Sequence, residues 1–373
     1  MERLEYKKYL EENYDLKIYT DNVEQKCLEQ TEELLKLDTF KNSKVRLMPD
    51  THAGKGAVIG FTAKLTDKII PNIVGVDIGC GMLCVYLNNI EIDLENLDKK
   101  IYKKVPAGMN SFEKEIANFD KIKEIYCYDK LKNSNKFPKQ IGTLGSGNHF
   151  IEIDIDDNSN KYLVIHTGSR NLGLQVAQYY QNLAVAKNKN DDISKELCHL
   201  EGKDREDYLH DMRICQEYAE LNREIIAKTI VNDILKLDYD KLEKFHTVHN
   251  YISFVDYIIR KGAISAHKGE KVLIPLNMRD GALICIGKGN EEYNNSAPHG
   301  SGRVMSRKQA KENVNLDDYI ESMKDIYTTS VNEYTLDESP FVYKNKNEII
   351  ENIKDTVDIV MNIKPIYNFK ASK

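Results

Sequence analysis

Four side chains of metal-binding type stand in two glycine-rich stretches of this 373-residue chain. Residues 145–170 read GSGNHFIEIDIDDNSNKYLVIHTGSR and carry His149 and His166. Residues 75–81 read GVDIGCG and carry Asp77 and Cys80. Glycine at that density means unusual backbone or close approach of a ligand. A carboxylate and a thiol three residues apart in a glycine turn can face one ion. Carboxylate, thiolate and imidazole together suit a borderline divalent metal such as Mn, Fe, Co or Zn rather than Mg or Ca. A histidine at a strand end is more often structural than a ligand, and the acid–thiol pair is what changes that reading.

Three other places hold chemistry-bearing residues. Residues 245–251 read FHTVHNY; on a strand His246 and His249 face opposite sides, so His249 is the site candidate and His246 structural. Asp50, His52 and Lys55, beside Gly54 and Gly56, form either a tight turn or a loop reaching the same site. Residues 294–307 read NNSAPHGSGRVMSR. There His299 precedes Gly300, Ser301, Gly302 and Arg303; flexible backbone N–H groups with Arg303 and Arg307 favour phosphate. A histidine so placed could be a nucleophile toward phosphorus. His199 and His210 read as solvated.

The elements that must carry these residues follow from periodicity. Ile151, Ile153 and Ile155 alternate with Glu152, Asp154 and Asp156, as in a strand with one buried face. Residues 157–160 turn, and 162–165 run apolar into His166. Each histidine therefore begins or ends a strand, a rigid mount beside a bare loop. Further strands are expected at 45–47, 82–87, 271–275, 282–286 and 366–370. Helices are expected at 22–37 with Asp21 as cap, at 175–187, at 205–237, and at 317–326 and 347–363. Tyr218, Leu221, Ile225, Ile226, Ile230, Ile234 and Leu235 make an apolar packing stripe. Residues 89–140 read as a polar, mostly helical cap over one side of the core.

With 41% hydrophobic residues the chain can bury one large core, and no repeat or linker divides it, so a single intertwined domain over 1–373 is expected. No run approaches the length of a membrane span, and the charged N-terminus has no signal-peptide core. Seven scattered cysteines argue for a reducing cytoplasm. Cys27, Cys84, Cys127, Cys198, Cys215 and Cys285 read as apolar fillers. A net charge of −6 gives no hint of nucleic-acid binding, though a local basic groove is compatible with it.

Taken together, GVDIGCG, GSGNHFIEI, VIHTGSR, the His249–Asn250 pair, PHGSGRVMSR and DESPFVYK resemble, in that order, the signature stretches of the RtcB family of GTP-dependent RNA ligases. The resemblance runs from about Met48 to the C-terminus. It implies an α+β fold with mixed sheets around a deep metal-containing cleft. It implies ligation of an RNA 3′-phosphate or 2′,3′-cyclic phosphate to a 5′-hydroxyl, through a histidine–GMP adduct and an RNA 3′-guanylate, in RNA repair or tRNA splicing. By this likeness Cys80 would bridge two Mn(II) ions, Asp77 and His149 completing one and His166 and His249 the other, with His299 taking GMP. Asn148, Phe150, Ile151, Glu152, Asn250, Pro275, Asn277, Met278, Gly300, Ser301, Gly302 and Lys370 would contact GTP, and Arg170 and Arg303 the RNA, with Arg307, Lys308 and Lys55 adding charge. An activating protein partner is compatible with the likeness. Departures fall at residues 275–281 (PLNMRDG), at Ala282 and after Lys370, among nucleotide contacts rather than metal ligands. The rival activity on such a scaffold is a metal-dependent phosphoesterase that opens cyclic phosphates without ligating. A catalytically silent RNA-binding relative has no use for a thiolate among imidazoles.

Overall fold

The computed structural model describes residues 2–40, 43–189 and 192–371. Two mixed sheets dominate. The larger runs in the order Lys271–Asn277, Gly281–Gly287, Val357–Phe369, Phe150–Ile155, Lys161–Thr167, Gly81–Asn88, Lys244–Val248, with Tyr327–Thr328 alongside Val357–Phe369. Its two end strands approach one another, Leu273 N–H donating to Thr247 Oγ1 at 3.0 Å, so the sheet is nearly closed. The smaller sheet is ordered Leu16–Ile18, Val45–His52, Ile59–Lys64, Ile258–Lys261, Asn250–Ile252.

Register in the larger sheet assembles the site. Gly81 pairs with both Thr167 and Val248, and Phe150 pairs with His166. Cys80, His149, His166 and His249 each lie at or beside one of these paired ends. Four strand ends therefore converge on one point although their residues are far apart in the chain. Gly81 is required there, because a Cβ would stand 2.6 Å from the Thr247 carbonyl oxygen.

Both faces of the central strands are buried. Leu83, Val85, Ile151, Ile153, Leu163 and Ile165 pack on one side against Ile226, Ile230 and Ile234 of the long helix. Each such side chain contributes roughly 1.5–3 kcal/mol by leaving water. The other side holds Met82, Cys84, Val164, Ile284 and Ile363. The expectation of one solvent face on Phe150–Ile155 is thereby corrected: Glu152 and Asp154 are buried, because the sheet curls and fills its inner side. Cys84 sits in that inner layer, and all seven cysteines are buried.

Other elements differ from expectation. The second helix is Gln25–Leu35, and its N-cap is Glu24; Asp21 pairs with Lys7 instead, at 2.7 Å. Residues 89–140 contain one α-helix, Leu94–Lys104, capped by Asp93, then four 3₁₀ turns and irregular chain. Residues 347–363 are not one helix: Lys346–Asn352 ends, and Val357–Phe369 is a thirteen-residue strand. Its β-branched residues suit a strand, the pairing with Gly281–Gly287 decides it, and Pro365 is tolerated because the ladder is irregular there. The long helix Gly202–Lys228 continues as a π-turn over Thr229–Ile234. His210 is partly exposed and stacks on Tyr126 with centroids 4.3 Å apart.

Candidate metal centre and adjoining cleft

Five predicted ligands meet at the converging strand ends. Asp77, Cys80 and His149 form one group of mutually close donor atoms, and Cys80, His166 and His249 a second, with Cys80 common to both. Cys80 Sγ lies 3.5 Å from His149 Nε2 and 3.2 Å from His166 Nε2. His166 Nε2 lies 3.3 Å from His249 Nε2, and His149 Nε2 lies 3.0 Å from Asp77 Oδ2.

Backbone carbonyls fix two of the imidazoles. His149 Nδ1 donates to the Leu144 carbonyl at 2.9 Å, and His166 Nδ1 to the Asn148 carbonyl at 3.1 Å. Each ring thus turns an Nε2 lone pair inward, the usual arrangement around a bound metal. With His149 neutral, its lone pair faces the Asp77 carboxylate at 3.0 Å, acceptor against acceptor, and a proton or a metal ion between them relieves the repulsion. Burial, and then the neighbouring cationic groups, hold His166 and His249 well below the ordinary imidazole value, so both stay neutral and able to ligate. Burial and then Asp77 push the Cys80 thiol well up. A divalent cation reverses that, since a coordinating thiol is deprotonated outright. The donor set therefore fits a borderline divalent ion.

The loops bearing these ligands are pinned from behind by Asn222 and Arg223 of the long helix, both buried. Asn222 Oδ1 accepts from Gly142 and Thr143 N–H at 2.7 and 3.1 Å, and its Nδ2 donates to the Gly168 carbonyl at 3.1 Å. Arg223 Nη1 donates to the carbonyls of Gly79 and Thr167 at 2.7 and 3.0 Å. Gly168 is held against Asp77, where a Cβ would fall 2.1 Å from Oδ1. Glu220, Glu224 and His246 make another cluster, but Arg223 Nε donates to His246 Nδ1 at 3.4 Å. His246 Nε2 then carries the proton and faces Glu224, which agrees with a structural His246.

His299 stands beside this centre, its ring centroid 5.0 Å from that of His249. Its Nδ1 is bonded to Asp50 Oδ2 at 2.6 Å, and Asp50 is wholly buried. The turn reading of Asp50 and His52 gives way to the site reading: both lie on the strand Val45–His52, and His52 lines the same cleft. Gly302, at φ +68°, passes so close that a Cβ would meet the Asp50 carbonyl oxygen at 2.6 Å. The DESPFVYK stretch clamps this loop: Val304 N–H bonds the Val342 carbonyl at 2.9 Å, and Lys344 Nζ bonds the Pro49 carbonyl at 3.0 Å.

The cleft has a volume of about 340 Å³, within the range of small-molecule sites. Asn148, Phe150, Glu152, Asn250, Pro275, Asn277, Met278, Gly300, Ser301, Gly302 and Lys370 all line it. Ile151 does not; strand alternation turns its side chain into the core. Burial pushes the Glu152 carboxyl up, against the opposing pull of Asn368 and Lys370. Lys370 Nζ lies 5.4 Å over the Phe150 ring and 3.5 Å from Glu338 Oε2. Arg303 lines the cleft while bonding the Asp337 carbonyl at 2.6 Å. Arg170 does not line it. Its guanidinium donates to Thr143 Oγ1 and the Gly108 carbonyl, at 3.1 and 2.9 Å.

Sequence reasoning named neither Asn222 nor Arg223, nor Glu338 and Tyr343 in the cleft wall. For the first two a signal existed: they are in phase with Ala219 and Ile226 on the buried helix face, where a polar residue needs a buried partner.

A cysteine shared between two ligand groups, on a nearly closed sheet and beside an Asp-held histidine, is the architecture of a metal-dependent enzyme. The family described as "tRNA-splicing ligase RtcB" matches residues 30–371. The "RNA-splicing ligase RtcB" of Escherichia coli K12 is 31% identical over 369 residues, covering 88% of this chain and 90% of that one. The "tRNA-splicing ligase RtcB" of Nanoarchaeum equitans is 27% identical, covering 82% and 83%. The "RNA-splicing ligase RtcB homolog 1" of Entamoeba dispar is 25% identical, covering 87% and 78%. The chain belongs to the RtcB family. Among the described residues no helix is long and apolar enough to cross a membrane.

Proposed function

We propose that the protein is a GTP-dependent RNA ligase that joins 3′-phosphate or 2′,3′-cyclic phosphate ends to 5′-hydroxyl ends with a pair of Mn(II) ions. One observation carries the reading: His299, held by the buried Asp50, opens on the same cleft as the Cys80 centre. Asp77, Cys80 and His149 would hold one ion and Cys80, His166 and His249 the other. Bound there, the ions would supply Lewis-acid stabilisation of phosphoryl oxygens.

The chain's own residues have the following work. Asp50 keeps the proton on His299 Nδ1, so Nε2 presents a lone pair. Nε2 attacks the α-phosphorus of GTP, the N–P bond forms and pyrophosphate leaves. The ring gains positive charge, which the Asp50 carboxylate offsets at 2.6 Å. Transfer of GMP to the RNA 3′-phosphate breaks the N–P bond and returns a neutral imidazole. The 5′-hydroxyl, losing its proton, then attacks that activated end, forms the new phosphodiester and releases GMP; a 2′,3′-cyclic phosphate end must first be hydrolysed by water to the 3′-phosphate. Phe150, Glu152 and Lys370 would take the base, and Gly300, Ser301 and Gly302 the phosphates. Arg303 and Arg307 supply positive charge beside them.

The test is incubation with GTP and Mn(II), intact mass measurement, then ligation of a 3′-phosphate RNA to a 5′-hydroxyl RNA. A GMP adduct in wild type, absent in His299→Ala, with GTP-dependent joining, is expected. Opening of cyclic phosphate ends with neither adduct nor GTP dependence would establish the phosphoesterase instead.

A further inference from the structure

The chain is acidic overall, yet residues 99–139 carry eleven lysines against five acidic residues. Nine of the eleven are exposed. Lys103 and Lys104 of the helix Leu94–Lys104 line a groove with Phe112, Ile116, Ile225 and Lys228. Asp233, on the groove wall, reaches Lys104 at 3.4 Å; among the described residues it forms no ion pair with Lys103 or Lys228. Lys114 follows Phe112 in the chain, and Lys139 is tied to it by the Phe112 N–H to Lys139 carbonyl bond at 3.0 Å.

This groove adjoins the metal centre through a short run of chain. Its walls Ile116 and Ile225 press on Gly142, where a Cβ would stand 2.8 Å from each. Gly142 and Thr143 are bonded to Asn222, and the next residue, Leu144, offers the carbonyl that orients His149. The Ala107 to Gly145 bridge joins the same segment to the glycine loop a second time. Apolar and aromatic surface interleaves with the charge: Tyr102 is 70% exposed and Met109, beside that bridge, is 97% exposed. Cations along a groove, with an exposed ring nearby on which a base can stack, suit a single nucleic-acid strand.

We propose that the groove lined by Lys103, Lys104 and Lys228 binds the phosphodiester backbone of the RNA strand whose end occupies the cleft. This rests on the RNA-ligase reading and adds to it the path of the strand. The cationic segment then offsets the overall acidity where the polyanion approaches, leaving the cleft itself to the reacting end.

The test uses the full chain and a 3′-phosphorylated 20-nucleotide single-stranded RNA, bound in direct fluorescence titrations over a range of salt. Lys103→Gln, Lys104→Gln and Lys228→Gln are combined in one variant. A second variant carries Lys8→Gln, Lys324→Gln and Lys354→Gln, the same charge change on exposed lysines elsewhere. Each lysine–phosphate pairing that disappears should lower the log–log salt slope by about 0.7, so the groove variant should fall by about 2 in slope and on the order of 10- to 50-fold in affinity near physiological salt. The distant variant should stay close to wild type. Formation of the GMP adduct needs no RNA and reports on the cleft separately. Equal affinity and slope in the two variants would overturn the groove, whether RNA then binds elsewhere or the lysines serve a protein partner. RNA binding that fades as expected in a protein that never forms the adduct would count against the ligase reading and not against the groove.

Discussion

Replacing Asp50 by Asn should cripple formation of the GMP adduct while leaving the fold and the metal centre intact. Asp50 is wholly buried, and Oδ2 receives His299 Nδ1–H at 2.6 Å. Asn is nearly isosteric, which matters because Gly302 leaves no room for a longer side chain at that contact. Loss of the charge on the acceptor removes a charge-assisted bond of roughly 1.5–3 kcal/mol, about 10- to 150-fold in rate. The amide can also donate to Nδ1, moving the ring proton to Nε2 and removing the attacking lone pair. The equivalent tautomer error in a serine-protease triad costs on the order of 10⁴-fold. The expected loss therefore lies between about 10- and 10⁴-fold. The assay is single-turnover transfer of label from GTP to protein, with metal content and melting temperature measured on the same samples. A rate within about threefold of wild type would refute the role assigned to Asp50, since even the weakest such bond is worth more than that. So would a rate loss that merely tracks loss of metal.

Four further outcomes are expected. Cys80→Ala should lower metal stoichiometry at both positions and abolish ligation, whereas Cys84→Ala, in the inner apolar layer, should keep both; full metal content in Cys80→Ala by elemental analysis would remove the shared-ligand assignment. His299→Ala should form no adduct in intact mass spectra yet still join RNA carrying a ready-made 3′-guanylate, and failure to join it would give the histidine a later role. Arg223→Met should shift the thiolate-to-metal absorption of the Co(II)-loaded protein, with Arg223→Lys recovering part of it; unchanged spectra would leave Arg223 a fold residue only. Asp154 is buried with no hydrogen-bond partner for its carboxyl among the described residues, and burial and then Glu152 hold that carboxyl well above the ordinary range. A carboxyl raised on folding binds its proton more tightly in the folded state, so wild-type stability is full below the unfolded value and declines as pH rises above it. Asp154→Asn should therefore gain melting temperature relative to wild type between about pH 5 and pH 8, and a pH-independent difference would contradict the buried neutral acid.

The ligand types are legible in the sequence because Cys, His and Asp in glycine-dense turns have few other uses. What joins them is not, since Gly81 finds Thr167 and Val248 through strand pairings 86 and 167 residues away in the chain. Asp50 is half legible: a carboxylate in a short polar run carries no mark of the histidine it will meet 249 residues later. Asn222 and Arg223 show in the sequence only as two polar residues in phase with a buried packing face, and their partners, in loops far along the chain, do not show at all. Residues 357–363 read as helix because a short apolar run fits helix and strand alike, and the pairing with Gly281–Gly287 decides for strand. In residues 89–140 weak periodicity marks chain that settles as 3₁₀ turns against the helices beneath. Its lysines mean little as composition until the groove sets Lys103 and Lys104 beside Lys228 of the long helix.

The two halves of the site are mounted on different sheets, and one residue joins them. Cys80, His149 and His166 belong to strand ends of the larger sheet, whereas Asp50, which holds His299, belongs to the smaller one. The chain leaves the larger sheet at Val248 and enters the smaller at Asn250. His249 is the residue between. Its backbone is bonded on both sides, N–H to the Cys80 carbonyl at 3.0 Å and carbonyl to the Gly262 N–H at 2.7 Å. Its ring lies 5.1 Å from that of His166 and 5.0 Å from that of His299. A shift of one sheet against the other would thus move His249 relative to a ligand on one side or to the nucleophile on the other. The spacing between metal and nucleophile is set by the junction of the two sheets, and neither sheet alone contains the site.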